Sequence, residues 1–294
     1  MFDRGYELTD IIAIAILSLL LWYVDFRLTV HNWGVKWNGV GVIPEVLAGK
    51  SLLPMQHRVL VPWLTALFGR GSHKAPYICG HVTMRLLAIS FALFSAHWFF
   101  SSNLLYTALL VIFLMAAALF DYTDGYVELG FFALFLGLVG QCGPLVRSEI
   151  WLLVTVAFVA SLNRETALFF PVLLFLQTFD VVASVVVFLA VAAGLIFVRC
   201  VYGVPRRYCS FWMVKENWRR IKSFFRDGSG SRQIREYLLF ALLCVLVFIS
   251  PFTGTMSWVE WGMGAFFCAL LVPSIWCEVR VFAPVMLVVI PRLV

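Results

Sequence analysis

The chain has 294 residues, of which 62% are apolar and only 13% charged, with a formal net charge of +6 and a mean hydropathy of +0.94. A water-soluble domain of this size cannot hide so much apolar surface, so the composition points to lipid as the solvent. The basicity is local: residues 199–236 hold ten Lys/Arg against three Asp/Glu, and the rest of the chain sums to −1. With no basic face expected outside the membrane, nucleic-acid binding is not expected.

Spanning helices need about 17–25 apolar residues, and the chain carries enough for about eight to ten. The expectation is an all-α, polytopic integral membrane protein forming a single domain over residues 1–294. Apolar runs fall at residues 8–26, 77–99, 103–120, 127–142, 145–162, 166–180, 181–198, 237–251, 258–276 and 281–290. The first ends in Trp22, Tyr23 and Asp25 and is followed by no small-residue cleavage site. It reads as a retained helix with headgroup-level aromatics rather than a signal peptide.

The long polar segment 27–76 contains RVLVPWLTALFG, bracketed by Arg58 and Arg70. Twelve residues make about 18 Å of helix, too short for a hydrocarbon core of about 30 Å. A helix lying in the interface is predicted instead, opened by Gln56, His57 and Arg58. If that helix does not cross, a crossing count places segment 27–57, the Asp121 loop, Arg164/Glu165, the basic loop 199–236 and Glu278/Arg280 on one side. The short runs 127–142 and 166–180 are the places where this count fails if either is re-entrant.

The polar clusters carry the chemistry. Asp121, Asp124 and Glu128 put three carboxylates into eight residues around a turn signalled by Gly125. One reading is a solvated loop with acids favoured at a helix start. The other is a cluster that holds a cation or a substrate hydroxyl. Asn163, Arg164 and Glu165 interrupt some 35 apolar residues. They form either a surface loop or a self-neutralising Arg–Glu pair that offers its guanidinium to a phosphate. Glu278 and Arg280 repeat that logic. Asp25 reads either as a water-facing helix end or as a functional acid, and Arg58 as snorkelling or substrate-binding. Arg85 and Glu149 are ionisable residues inside apolar runs.

In the basic loop, Arg206 and Arg207 precede FWMVKENWRRIKSFF. Phe211, Trp212, Trp218, Ile221 and Phe225 share one side of a helix, with Lys215, Arg219 and Lys222 opposite. That is an amphipathic helix for an anionic membrane surface. It serves either as a cytoplasmic topology anchor or as a lid for a lipid-linked phosphate. The seven cysteines show no CxxC or Cys/His spacing. They read as small core residues, with Cys200 and Cys209 the one pair sharing a polar loop.

The order PMQHRVLVPWL, DYTDGYVELGFF, NRETALFFPVLLF and EVRVFAPVMLVVIP, after a first helix that ends near an acid, resembles small bacterial membrane proteins related to the GT-C glycosyltransferases. The resemblance covers most of the chain. It implies a bacterial inner-membrane, multi-pass enzyme that takes a sugar from a polyprenyl-phosphate donor on the extracytoplasmic face. It also implies that Asp25, or less readily Glu45, stands where the family's first-loop acid acts as general base. Asp121 and Asp124 match the second acidic motif and would hold a divalent cation if one is used. The chain departs from the family in having no DxD or ExD pair in its first loop.

In such a reaction a carboxylate takes the acceptor's proton as the glycosidic bond forms. Positive charge from Arg58, Arg164, Arg280, Arg206 or Arg207 stabilises the leaving phosphate. Gln56, His57, Glu128, Glu165 and Glu278 complete the substrate-binding set. The rival expectations are a transporter or flippase, which favours ionisable groups midway through spans, and a non-catalytic assembly partner.

Overall fold

The computed structural model describes residues 7–33, 48, 59–68, 74–117, 123–141, 147–202, 218, 222, 231–249, 257–271 and 283–293. Among these, every regular element is a helix. In chain order they are α1 (Leu8–Trp33), α2 (Leu60–Phe68), α3 (Lys74–Phe99), α4 (Leu104–Ala117), α5 (Thr123–Gln141) and α6 (Arg147–Asn163). A 3-10 turn (Glu165–Phe169) follows, then α7 (Phe170–Thr178), α8 (Val181–Tyr202), α9 (Ser231–Ile249), α10 (Trp258–Leu270) and α11 (Met286–Leu293).

Among the described residues, three stretches are long and apolar enough to cross a membrane: Leu8–Arg27, Val82–Phe99 and Val181–Tyr202. Leu104–Met115, Gly125–Gly140, Glu149–Asn163, Glu165–Thr178, Leu238–Ile249 and Ala283–Arg292 are apolar but shorter. Side chains such as Leu19, Ile112, Val182, Leu189 and Phe248 stand exposed on the helices, as expected of helices whose outer faces meet lipid.

Local chemistry explains several boundaries. Pro171 in the first turn of α7 has no amide hydrogen to leave unsatisfied. α7 stops at Phe179, whose φ of 54° is left-handed, and Asp180 at once caps α8 by accepting from the Ala183 amide at 2.9 Å. Ser257 and Glu260 form a reciprocal capping box at the start of α10. Thr123, Asp124 and Gly125 lie in the first turn of α5. The turn expected at Gly125 is therefore helix, and Asp124 stands at the N-terminal end of its dipole. Glu149 also proves to be a first-turn acid, at the start of α6, and not a group midway along a helix.

Packing sets the topology. A Cβ on Gly130 would fall 2.4 Å from the Phe91 ring, and one on Gly137 would fall 2.3 Å from the Trp98 ring. Two glycines seven residues apart on α5 thus receive two rings seven residues apart on α3. Ala88 also packs with Val127, so α3 and α5 run parallel, with α4 returning the chain between them. The same holds for α6 and α8, where a Cβ on Gly194 would meet Ser161 Oγ at 2.0 Å and Val198 packs on Leu162. Phe132, Phe135, Phe170 and Phe266 fill the centre, with Phe135 and Phe170 stacked at 4.2 Å.

Candidate functional site

Because alternate helices run parallel, polar groups accumulate at the two ends of the bundle. Towards one end, Asp25, eight residues before the end of α1, meets Arg85 in the middle of α3. Arg85 Nη2 donates to Asp25 Oδ1 at 3.1 Å, and its Nε faces Oδ2. Asp25 is fully buried and Arg85 is 4% exposed. Asp25 is therefore not a water-facing helix end. Burying a carboxylate is tolerable only with a partner such as the planar guanidinium beside it.

The second pair joins α5 to the end of α6. Arg164 Nη1 donates to Glu128 Oε2, and Thr166 Oγ1 donates to Glu128 Oε1. Glu128 is 3% exposed and Arg164 5%. This corrects two expectations. Arg164 does not lie in a surface loop, and it pairs with Glu128, not with its neighbour Glu165. Glu165 begins the 3-10 turn, part-exposed, and makes no ion pair among the described residues. The extended backbone at Arg164, with φ −155° and ψ 150°, interrupts the helix there.

The register of α3 against α5 (Ala88 with Val127, Phe91 with Gly130) brings Arg85 level with the start of α5. Asp25–Arg85 is thus level with the first residues of α5, and Glu128 lies about one turn deeper. α2 lies at the same end. The Val59 amide donates to Leu162 O at 3.0 Å, Val61 packs with Ala88 and Val127, and Trp63 Nε1 donates to Tyr202 OH at 2.5 Å. The hydroxyls of Thr65 and Thr123 are buried there with no hydrogen-bond partner among the described residues.

The opposite end is simpler. His97 Nδ1 lies 2.9 Å from Thr107 Oγ1, and its Nε2 lies 3.8 Å from Asp10 Oδ2. Arg292 holds Glu260 through two bonds of 2.5 Å, tying the end of α11 to the start of α10. Phe179 meets Trp258 edge-on at 6.4 Å.

Of the residues expected to form a site, the structure brings together Asp25, Glu128 and Arg164 at one end of the bundle. Asp124 is helical there, but its side chain lies outside the described residues. Gln56, His57, Arg58, Asp121, Arg206, Arg207, Glu278 and Arg280 lie outside them altogether. Of the expected amphipathic helix, Trp218 and Lys222 are described, and the ammonium lies over the ring, 5.6 Å from its centroid, so these two share a side instead of facing opposite ways. Among the described residues no group of three or more His, Cys, Asp or Glu is placed to hold a metal. Cys200, Cys244 and Cys268 are free thiols. Sequence reasoning passes over Arg85 and Thr166 as site residues. The signal for Arg85 is a lone guanidinium within an apolar run.

Compared with known proteins, the chain matches no family model, no curated protein and no solved structure.

Proposed function

We propose that the chain is a polytopic membrane protein of the bacterial inner membrane, with the shorter apolar helices also crossing. We propose further that it transfers a sugar from a polyprenyl-phosphate donor in the manner of GT-C enzymes. The observation that carries this reading is the placement of two buried carboxylate–guanidinium pairs, Asp25–Arg85 and Glu128–Arg164, at one end of the bundle beside the start of α5. Charges at that depth are costly and point to function. Two fixed guanidiniums next to a helix N-terminus suit a leaving phosphate.

Roles divide by engagement. Asp25 is already held by Arg85, and Glu128 by Arg164 and Thr166. Both carboxylates therefore orient their arginines, and an acceptor hydroxyl needs a different base. That role falls to Asp124, with Asp121 close to it in sequence. Any divalent cation would use the same two acids, and α2 would lie at the membrane surface.

The test uses the full-length chain in proteoliposomes with polyprenyl-phosphate-linked hexoses and a membrane extract as the source of acceptor. The expected result is release of free polyprenyl phosphate that is lost in Asp124→Asn. Donor left intact by the wild-type protein would overturn the transferase reading, and donor moved across the bilayer intact would make the chain a transporter.

A further inference from the structure

Between Val181 and Val198, α8 carries no charged side chain. Its 22 residues rise about 33 Å, close to a hydrocarbon core of about 30 Å. One side of it packs inward: Ala183, Ser184, Val187, Val191, Gly194 and Val198 are buried. The other side stands exposed over the same length, at Val182, Val185, Leu189, Ala193, Ile196 and Cys200. These recur every three or four residues, the period of one helix face.

The residues of that face decide what covers it. Helices that associate within a bilayer use small side chains that let backbones approach. On α8 most of those turn inward, where a Cβ on Gly194 would collide with Ser161. The outward stripe from Val182 to Ile196 is branched and apolar apart from Ala193, and it offers neither charge nor hydrogen bond. Such a surface suits acyl chains.

Both ends of the stripe carry groups that belong at a lipid–water boundary. At its start, Phe179 and, on α10, Trp258 and Trp261 stand exposed. At its finish, Arg199 is exposed and makes no ion pair among the described residues, and the Tyr202 hydroxyl accepts from Trp63 Nε1. Tyrosine and tryptophan favour the headgroup layer, and an arginine there meets lipid phosphate. The same helix gives the depth of the Glu128–Arg164 pair. Val198 packs on Leu162, and the 3-10 turn after Arg164 packs on α8 as well. Arg164, two residues past Leu162, is therefore level with the last turn of α8.

We propose that the outward stripe of α8 meets acyl chains across a whole bilayer, with boundaries at Phe179 and Tyr202, and that Glu128–Arg164 consequently lies at the depth of the lipid phosphates on the Arg199 side. This deepens the function proposed above and rests only on its membrane part, not on sugar transfer. A lipid-linked phosphate whose tail runs along α8 would carry its charge to that depth.

The experiment uses full-length chains with a single thiol, either Cys200 alone of the seven native cysteines or Val182→Cys, Leu189→Cys or Glu165→Cys in its place. All four positions are exposed or part-exposed, so a nitroxide label displaces no buried side chain. The chains are reconstituted in vesicles of phosphatidylethanolamine and phosphatidylglycerol. Collisions are compared for oxygen, which concentrates among acyl chains, and for a water-soluble nickel chelate, which is excluded from them. The oxygen-to-nickel ratio should rise severalfold from residue 182 to residue 189 and fall back at Cys200. Residue 165, beside Arg164, should match Cys200. A label at 189 that is immobilised and shielded from oxygen would make the stripe a contact between proteins and overturn the proposal. A ratio that is flat along α8, or as high at 165 as at 189, overturns the depth assignment while leaving the membrane reading intact. Chains that alkaline carbonate strips from the vesicles would overturn the membrane reading itself.

Discussion

The ring of Phe91 occupies the space that a side chain on Gly130 would need, 2.4 Å from where its Cβ would stand. This close approach aligns α3 with α5 and so sets how far Arg85 lies from Glu128 along the bundle. Gly130→Leu should force the helices apart and lower the melting temperature in detergent. Gly130→Ala should cost about 1–3 kcal/mol. Pairing Gly130→Ala with Phe91→Ala should cost less than the two separate losses combined, because each relieves the other's misfit. Strict additivity in thermal melts would show that the seam does not depend on this contact.

Asp25 and Arg85 form a buried pair, so removing one partner strands the other. Asp25→Asn or Arg85→Met alone should destabilise by about 3–5 kcal/mol, whereas Asp25→Leu with Arg85→Met should recover most of that loss. Unfolding followed by circular dichroism in one detergent compares the three. If the double variant is as unstable as the worse single one, the two residues do not act on stability as a pair.

Arg164 meets a carboxylate whose other oxygen accepts from Thr166. A lysine keeps the charge but not the planar fork. Arg164→Lys should therefore lower donor consumption about 10- to 100-fold, the equivalent of one charged hydrogen bond. Thr166→Val, which removes a single neutral donor, should lower it by about three- to tenfold. Full activity in Arg164→Lys would reduce Arg164 to a point charge.

The alternation of helix ends makes a topological prediction. Single cysteines at Gly125 and at Gly228, in the basic loop, should react with an impermeant thiol reagent from the same side of the membrane. A cysteine at exposed Ser101, in the turn between α3 and α4, should react only from the other side. Protection of Gly228 while Gly125 labels would make the basic loop a cytoplasmic anchor and split the proposed reaction face.

Helix positions follow closely from the apolar runs, because backbone hydrogen bonds and apolar side chains demand the same segments. The runs at 103–120, 145–162 and 181–198 correspond to α4, α6 and α8 within a few residues. Charge partners are less legible. Adjacency in sequence points to Glu165 as the partner of Arg164, whereas folding delivers Glu128 from 36 residues away. Asp25 is recognisable as an acid at the end of the first apolar run, but the helix runs on to Trp33 and its burial depends on Arg85, 60 residues later. The parallel pairing of α3 with α5 is written in Phe91, Trp98, Gly130 and Gly137, a spacing of seven on each helix that only the packed helices reveal.

Those long separations bear on how the chain is made. When synthesis proceeds from the N-terminus, α1 is made with Asp25 unaccompanied, and its guanidinium emerges only with α3. Glu128 must likewise wait for the last residue of α6 to pass before Arg164 arrives. Each acid is thus presented before its base, and neither helix is fully compatible with lipid when first released. On the proposed membrane reading, α1 and α5 would each need to be retained during insertion until their partners follow. Stalling the nascent chain between residues 128 and 164 would leave α5 held at the insertion site, with its carboxylate still unmatched.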